Sequence, residues 1–275
     1  MRYPPSPKRT KALDTDGLRA AFLVGNLFAP GEVVLNYWNP DRTIVGSAVP
    51  TTDTLRPKST GEIDADYFTQ RREVGVLNIG PGAGTIEVDG DEYSAAPRDI
   101  VYVGRGSENV VFHSDTVNEP ARFYLVSYPA HQSYPTSAMR RADADLTEIG
   151  EPGKASRRDL LKYIHPDGLE SAQLVMGITE VAENNVWNTM PAHTHERRSE
   201  VYMYFGLDSD EVVFHLMGEL RETRSVVVRD GEAVLSPSWS LHAGAGTSNY
   251  TFCWAMGGEN QDFDDMQGVA MEDIR

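Results

Sequence analysis

The sequence is poor in cysteine, in basic residues and in long apolar runs, and each deficit excludes a class of protein. Cys253 is the one cysteine among 275 residues, so an internal disulfide cannot form, and a reducing compartment is expected. The net charge of −16 argues against a nucleic-acid partner, because no basic surface is available to contact phosphates. No apolar run reaches the roughly 18 residues of a membrane helix, and the amino-terminal residues lack a signal-peptide core. We therefore expect a cytoplasmic protein without nucleic-acid or membrane partners.

Short alternating apolar runs, separated by Gly, Pro, Asp and Asn, begin near residue 33. The sequence Asp89-Gly90 between two of these runs is typical of a β-hairpin turn. Helical signals are few, and the clearest is Asp14, which is suited to cap a short amphipathic helix. The pattern predicts a mainly β fold, an antiparallel barrel or sandwich. The runs cover residues 33–38, 42–45, 74–79, 84–88, 100–103, 110–112, 122–126, 173–179, 201–205, 212–217, 225–228, 233–235 and 250–255.

The alternating strand pattern is interrupted between residues 129 and 171, which predicts two domains joined by a linker. Residues 98–109 align without a gap on residues 231–242, with Asn109 at the position of His242, and residues 71–74 similarly echo 197–201. This weak repeat indicates two similar barrels, of which only the second keeps ligating side chains. The predicted divisions are an amino-terminal segment and helix (1–30), a barrel without metal ligands (31–130), a linker (131–170) and a metal-binding barrel with a tail (171–275).

His193 and His195 form the most informative local pattern, because residues two apart point the same way only on a strand. Glu200 lies five positions after His195, an odd offset, so a turn must intervene if the carboxylate is to join the imidazoles. The polar residues 196–199 can form that turn. Two imidazoles and a carboxylate on adjacent strands need one more ligand for a typical metal site, and His242 is the candidate.

The remaining histidines lack such partners, and we expect them to be structural or surface residues. They are His113, His131, His165 and His215.

The spacing of His193, His195 and Glu200, followed by Pro237 and His242, resembles the paired motifs of the cupin superfamily. More specifically, residues 187–202, 236–240 and 258–266, together with strings in the first half, are similar to the 5-keto-4-deoxyuronate isomerase family of pectin breakdown. This resemblance covers nearly the whole chain. It implies two tandem cupin-like barrels, one zinc ion on the four ligands, an anionic sugar substrate and a homo-oligomer, commonly a hexamer.

The implied reaction, aldose to ketose isomerisation, moves a proton from C2 to C1 through an enediolate. It requires a Lewis acid for the developing negative charge and a base near C2. Four protein ligands fill a tetrahedral zinc shell, so catalysis demands either a larger coordination number or release of Glu200. Candidates for the base are Glu200 after such release, Tyr204 and Lys162. A substrate carboxylate calls for a basic partner. The candidates are Arg157, Arg158, Arg197 and Arg198.

Other functions fit the same residues. A purely structural zinc needs no open position. A related deoxyuronate of inositol catabolism is an alternative substrate. Cupin sites of this composition also hold iron, so a dioxygenase is a further possibility. A non-catalytic sugar-binding protein with two cupin barrels is the last. The sequence leaves open the base, the carboxylate-binding residue, the metal and the subunit count.

Overall fold

The computed structural model describes residues 1–275, and strands dominate it, as the alternating pattern predicted. The two α-helices are α1 (Pro7–Thr10) and α2 (Thr15–Phe22). Short 3-10 helices cover Pro40–Arg42, Arg141–Asp143, Pro152–Lys154 and Met271–Asp273. No helix has both the length and the apolar character needed to cross a bilayer.

The first ten strands are β1 (Leu23–Val24), β2 (Val33–Trp38), β3 (Thr43–Ala48), β4 (Arg72–Asn78), β5 (Gly84–Val88), β6 (Asp91–Ala95), β7 (Ile100–Val103), β8 (Val110–Ser114), β9 (Phe123–Pro129) and β10 (Ser137–Met139). The next six are β11 (Asp145–Ile149), β12 (Arg158–Ile164), β13 (Val175–Val181), β14 (Trp187–Thr194), β15 (Arg198–Phe205) and β16 (Val213–Glu219). The last five are β17 (Glu222–Val228), β18 (Ala233–Ser236), β19 (Leu241–Gly246), β20 (Thr251–Gly258) and β21 (Gln267–Gly268).

The chain divides into two compact units. Unit 1 comprises Met1–Arg2, Asn26–Ala144 and Tyr163–Met176, and unit 2 comprises Tyr3–Gly25, Asp145–Lys162 and Gly177–Arg275. The residues 131–170, predicted as a linker, carry strands β10 to β12, and each of these strands pairs within a sheet.

Unit 1 contains a six-stranded sheet in the order β10-β7-β4-β9-β3-β2 and a three-stranded sheet in the order β6-β5-β8. The predicted hairpin is present, since β5 and β6 pair across Asp89 and Gly90. Apolar side chains from both sheets, including Val76 and Phe112, form one buried core. Apolar burial of this kind stabilises the unit and fills its interior.

Unit 2 holds most of a seven-stranded sheet in the order β1-β18-β15-β20-β13-β12-β11, and a five-stranded sheet in the order β17-β16-β19-β14-β21. Its helix α2 begins where the sequence predicted, because the Asp14 side chain accepts a hydrogen bond of 2.8 Å from the Gly17 N–H. All eight residues of β15 are buried, which places this strand between two packed layers. The sheets are antiparallel and cupin-like, which confirms the predicted mainly β fold class, and they do not close into complete barrels.

The strand registers support the repeat suggested by the sequence. Val74 on β4 faces Val103 on β7, and Glu200 on β15 faces Ser236 on β18. Strands β4 and β7 thus pair in unit 1 as β15 and β18 do in unit 2, and Val103 and Ser236 share one position in the ungapped alignment of 98–109 on 231–242. At that position unit 1 has an apolar core residue where unit 2 has a hydroxyl.

A buried carboxylate in unit 1 accepts hydrogen bonds from three main-chain N–H groups and one hydroxyl. Glu73, fully buried, accepts hydrogen bonds of 2.8 Å from the main-chain N–H groups of Gln173 and Leu174 on Oε1. Its Oε2 accepts from the Ala172 N–H at 2.6 Å and the Tyr102 hydroxyl at 2.8 Å. Such a carboxylate is held by its donors, and its loss would leave them without partners.

Replacing Glu73 by alanine should therefore destabilise the protein strongly. Two buried donors, the Leu174 N–H and the Tyr102 hydroxyl, and two half-buried N–H groups would lose their acceptor. An unpaired buried donor costs about 1–3 kcal/mol, so we expect a loss of at least about 2 kcal/mol in the free energy of unfolding. Urea denaturation measures it. Glu92→Ala, at an exposed position on β6, serves as the control and should change stability little. Equal effects for the two variants would contradict this account.

Candidate metal centre

Three histidines and one glutamate meet in unit 2: His193, His195, Glu200 and His242. The Nε2 atom of His193 lies 3.1 Å from that of His195 and 3.0 Å from that of His242. The Oε2 atom of Glu200 lies 3.0 Å from His195 Nε2 and 3.1 Å from His242 Nε2. The structure thus brings together the four side chains that the sequence predicted as metal ligands.

Both sheets contribute to the cluster. His193 on β14 faces His242 on the neighbouring β19, while Glu200 comes from β15 in the other sheet. His195 lies just beyond the end of β14, at the start of the polar turn that precedes β15. That turn reverses the chain, so a carboxylate at an odd offset reaches the same space as the two imidazoles.

An irregularity in β14 sets the direction of His193. From Asn188 to His193 the strand advances five residues (193 − 188), while β19 advances two, from Gly244 to His242 (244 − 242). Three extra residues therefore bulge out of the pairing, and Thr189 within them has a φ of +49°. Bulges re-aim side chains, and they are common beside functional sites.

Burial keeps two of the imidazoles, those of His193 and His242, neutral and able to ligate. Removal from water lowers the pKa of His193 to about 3, with the neighbouring His195 as a further cause. Burial is also the main reason why the pKa of His242 lies well below its usual range, and the neighbouring His193 and His195 lower it further. Neutral imidazole is the form that binds metal.

Two of the rings contact polar groups on the side away from the cluster. The Nδ1 atom of His195 lies 3.2 Å from the main-chain oxygen of Asp265 and 3.3 Å from Arg198 Nη2, and Nδ1 of His242 lies 3.3 Å from Ser236 Oγ. The carbonyl oxygen can only accept, so a proton on His195 Nδ1 satisfies it and leaves Nε2 with a lone pair toward the cluster.

The spacing of the four atoms suits the binding of one metal ion. Ligand atoms on one metal with bonds of about 2.0–2.2 Å lie about 3.0–3.4 Å apart, depending on the coordination geometry. The neighbouring pairs of the cluster are 3.0–3.1 Å apart, within this range. The four side chains would therefore hold a divalent cation, which would supply a Lewis acid.

The cluster borders a cavity of about 260 Å³, large enough for a small sugar. Its wall is mostly apolar, with a few polar groups on one side. The polar lining consists of Arg158, Thr179, Thr189, His193, His195, Glu200 and Tyr202. The apolar lining consists of Ile149, Leu160, Met190, Pro191, Phe252, Trp254, Met256, Phe263 and Met266.

Of the four arginines predicted to bind a carboxylate, only Arg158 lines the cavity. Burial lowers the pKa of its guanidinium, and Nη1 donates to the Ser156 oxygen at 2.6 Å. Arg157 is exposed. Arg197 pairs with Asp265 outside the cavity, and Arg198, itself buried, donates to the Asp265 main-chain oxygen at 2.8 Å.

The predicted candidates for the base also occupy different places. Glu200 is on the cavity wall, whereas Tyr204 lies behind it with its hydroxyl 2.7 Å from His215 Nδ1. Lys162 forms an ion pair of 2.7 Å with Asp145, and its Nζ lies 5.6 Å from the centre of the Phe263 ring.

Tyr202 is the tyrosine that reaches the cavity. Its ring centre lies 5.1 Å from that of His242 and 5.2 Å from that of Phe252. Burial, together with the Glu200 carboxylate, raises the pKa of its hydroxyl well above the usual range. The alternation of β15 could have indicated Tyr202 as readily as Tyr204, because both share the face of Glu200. No signal in the sequence showed that Tyr202 lines the cavity and Tyr204 does not.

Fold and site together define a protein of two cupin-like units with a single three-histidine, one-glutamate cluster beside a cavity. The chain belongs to the KduI/IolB family, whose model matches residues 35–272.

Curated relatives align along the whole chain. The 4-deoxy-L-threo-5-hexosulose-uronate ketol-isomerase of Halalkalibacterium halodurans is 49% identical over 274 residues, covering 100% of this chain and 99% of the relative. The protein of the same name from Escherichia coli O9:H4 is 50% identical, covering 96% of each chain. Among solved structures, an IolB-like protein of Salmonella typhimurium superposes with a TM-score of 0.70 at 12% identity, over 90% of this chain and 96% of that one. The last comparison shows shared fold alone.

His215 should make stability fall as the pH drops. Burial lowers its pKa to about 3, so the unfolded chain binds the proton from about pH 6.5 downward while the folded protein does not. Stability contributed by the neutral ring is present above pH 6.5 and is lost by up to about 1.4 kcal/mol per pH unit below it. Urea unfolding at pH 7, 6 and 5 should give a shallower slope for His215→Gln than for the wild type. Identical slopes would contradict the prediction.

Proposed function

We propose that this chain is a 4-deoxy-L-threo-5-hexosulose-uronate ketol-isomerase, converting its substrate into 3-deoxy-D-glycero-2,5-hexodiulosonate in uronate degradation. The observation that carries the proposal is the meeting of a metal-type cluster with a sugar-sized cavity in a chain about half identical to proteins of that name. The enzyme class is an intramolecular oxidoreductase that interconverts aldose and ketose.

The reaction moves one proton from C2 to C1 and one hydroxyl proton to the former carbonyl oxygen, so atoms and electrons balance within the substrate. A divalent cation, which we propose to be zinc, would be held by His193, His195, Glu200 and His242 and would stabilise the negative charge of the enediolate as a Lewis acid. The apolar wall excludes water from the reacting carbons, and water exclusion strengthens each charge interaction nearby.

The protein's own groups on the polar side can seat the sugar. Arg158 is the one predicted arginine on the wall, and its guanidinium offers paired donors to the substrate carboxylate. The Tyr202 hydroxyl keeps its proton because its pKa is raised, so it serves as a hydrogen-bond donor to a sugar oxygen. Glu200 is the one base candidate on the wall, and we propose that it takes the C2 proton, which would require release of its carboxylate from the ligand set.

The proposal extends to the surroundings in which the enzyme works. A net charge of −16 disfavours phosphate polymers as partners, and the single cysteine is buried in a strand, which suits a reducing compartment. We place the protein in the cytoplasm as a homo-oligomer, a hexamer by its family resemblance, with a small anionic sugar as its ligand.

Activity should depend on the metal cluster. Purified protein supplied with zinc should convert the keto sugar, and His242→Ala should lower both metal content and turnover, each by at least about 100-fold, because every ligand supports the affinity. Metal analysis and a product assay measure the two quantities. His113→Ala, which changes a half-exposed ring paired with Glu87 at 3.6 Å, is the control. Wild-type protein that binds zinc and leaves the substrate unchanged would refute the proposed reaction.

Arg158 should govern binding of the carboxylate. Loss of a charge-assisted hydrogen-bond pair costs about 1.5–3 kcal/mol, so Arg158→Ala should raise KM about 10- to 100-fold with a smaller change in kcat. Arg158→Lys should recover part of the loss. The adjacent, exposed Arg157→Ala is the matched control and should behave as the wild type. Unchanged KM in Arg158→Ala would show that the carboxylate binds elsewhere.

A further inference from the structure

Residues 259–268, which we term the closing segment, follow β20. Most of them belong to the string 258–266 that resembles the isomerase family, yet they supply no residue of the metal cluster. Phe263 and Met266 from this segment line the cavity, and Phe263 packs 5.3 Å from the Trp254 ring, centre to centre. Strand β21 at its end pairs with β14, with Gly268 opposite His193. The segment therefore contacts both the cavity and a ligand strand.

Asp265 is the residue of the closing segment that reaches the cluster. Its main-chain oxygen accepts hydrogen bonds from His195 Nδ1 at 3.2 Å and from Arg198 Nη2 at 2.8 Å. His195 and Arg198 are 3% and 1% exposed, so the pair of donors converges on this oxygen away from water. This carbonyl thus lies where it can hold the ring of a predicted ligand in place through Nδ1.

The side chain of Asp265 holds that carbonyl in place. Both carboxylate oxygens are bonded by Arg197, through Nε at 2.6 Å and through Nη2, and Asn260 Nδ2 donates at 2.6 Å. Arg197 in turn accepts the Glu259 N–H on its main-chain oxygen at 3.0 Å. These bonds, with the Arg197 guanidinium first, hold the pKa of the Asp265 carboxyl below its usual range, so the group stays ionised. A bidentate pair of this kind fixes geometry as well as charge.

We propose that Asp265 is a positioning residue for the metal centre: clamped by Arg197 and Asn260, its main-chain carbonyl orients His195 so that Nε2 faces the other three ligands. The inference rests on the metal site of the proposed function and adds a residue that the ligand motif does not contain. It predicts that the closing segment tunes metal affinity without touching the metal.

The experiment compares Asp265→Ala with Asp264→Ala, which removes the same charge at the next, exposed position. Zinc dissociation constants, measured by competition with a chelator, should be 10- to 100-fold weaker for Asp265→Ala and unchanged for Asp264→Ala, as is usual for partners of ligating histidines. Asp265→Asn keeps an acceptor oxygen for Arg197 and should recover part of the affinity. With cobalt in place of zinc, the visible absorption bands should shift in Asp265→Ala, since a turned imidazole alters the ligand field, which a merely less stable fold would leave unchanged.

Arg197→Ala provides a second route to the same answer if Asp265→Ala fails to fold. Arg197 is 40% exposed, so its removal breaks the clamp with little loss of packing, and affinity should fall in the same direction. The inference is overturned if Asp265→Ala, or Arg197→Ala in its place, matches Asp264→Ala in zinc affinity and cobalt spectrum. Wild-type protein that binds no zinc or cobalt would instead overturn the metal site itself, and so the two failures are distinct.

Discussion

The structure depends on the burial of four ligand atoms whose neighbouring pairs lie only 3.0–3.1 Å apart. Lone pairs so close to one another repel unless a cation or protons stand between them, and burial disfavours protonation of His193 and His242. The lowered pKa values of His193 and His242 express that conflict. Much of unit 2 serves to hold these atoms together. Two sheets carry the ligands, and the Asp265 carbonyl and Ser236 contact the far sides of the His195 and His242 rings.

The two units have similar strand pairings, but one contains an apolar core and the other a cavity with polar groups. In unit 1, Val74 and Val103 face each other and join an apolar core. In unit 2, Glu200 on β15 faces Ser236 on β18, and Glu200 lines a cavity. A packed core contributes stability, while a cavity lined by polar groups gives some of it up for binding. Unit 1 is built for stability by this measure, and unit 2 for chemistry.

Much of the site was predictable because its strongest signals are local. Strand periodicity placed His193 and His195 on one side, and the odd offset to Glu200 required the turn that the structure has. The contribution of Asp265 was not predictable, since its contact with His195 spans 70 residues and uses a main-chain oxygen that any residue possesses. The bulge in β14 was not predictable either, because Thr189 adopts a positive φ that its residue type does not favour. The four candidate arginines are chemically alike, so the sequence could not show which of them lines the cavity. The structure shows that it is Arg158.

The closing segment has a consequence for the order in which the site is made. Synthesis proceeds from the amino terminus, so His193, His195, Glu200 and His242 all leave the ribosome before Asp265 does. A nascent chain therefore carries all four side chains of the cluster before the hydrogen bond between His195 and the Asp265 carbonyl can form. A metal ion captured at that stage would meet a looser arrangement than one captured after residue 265 has docked.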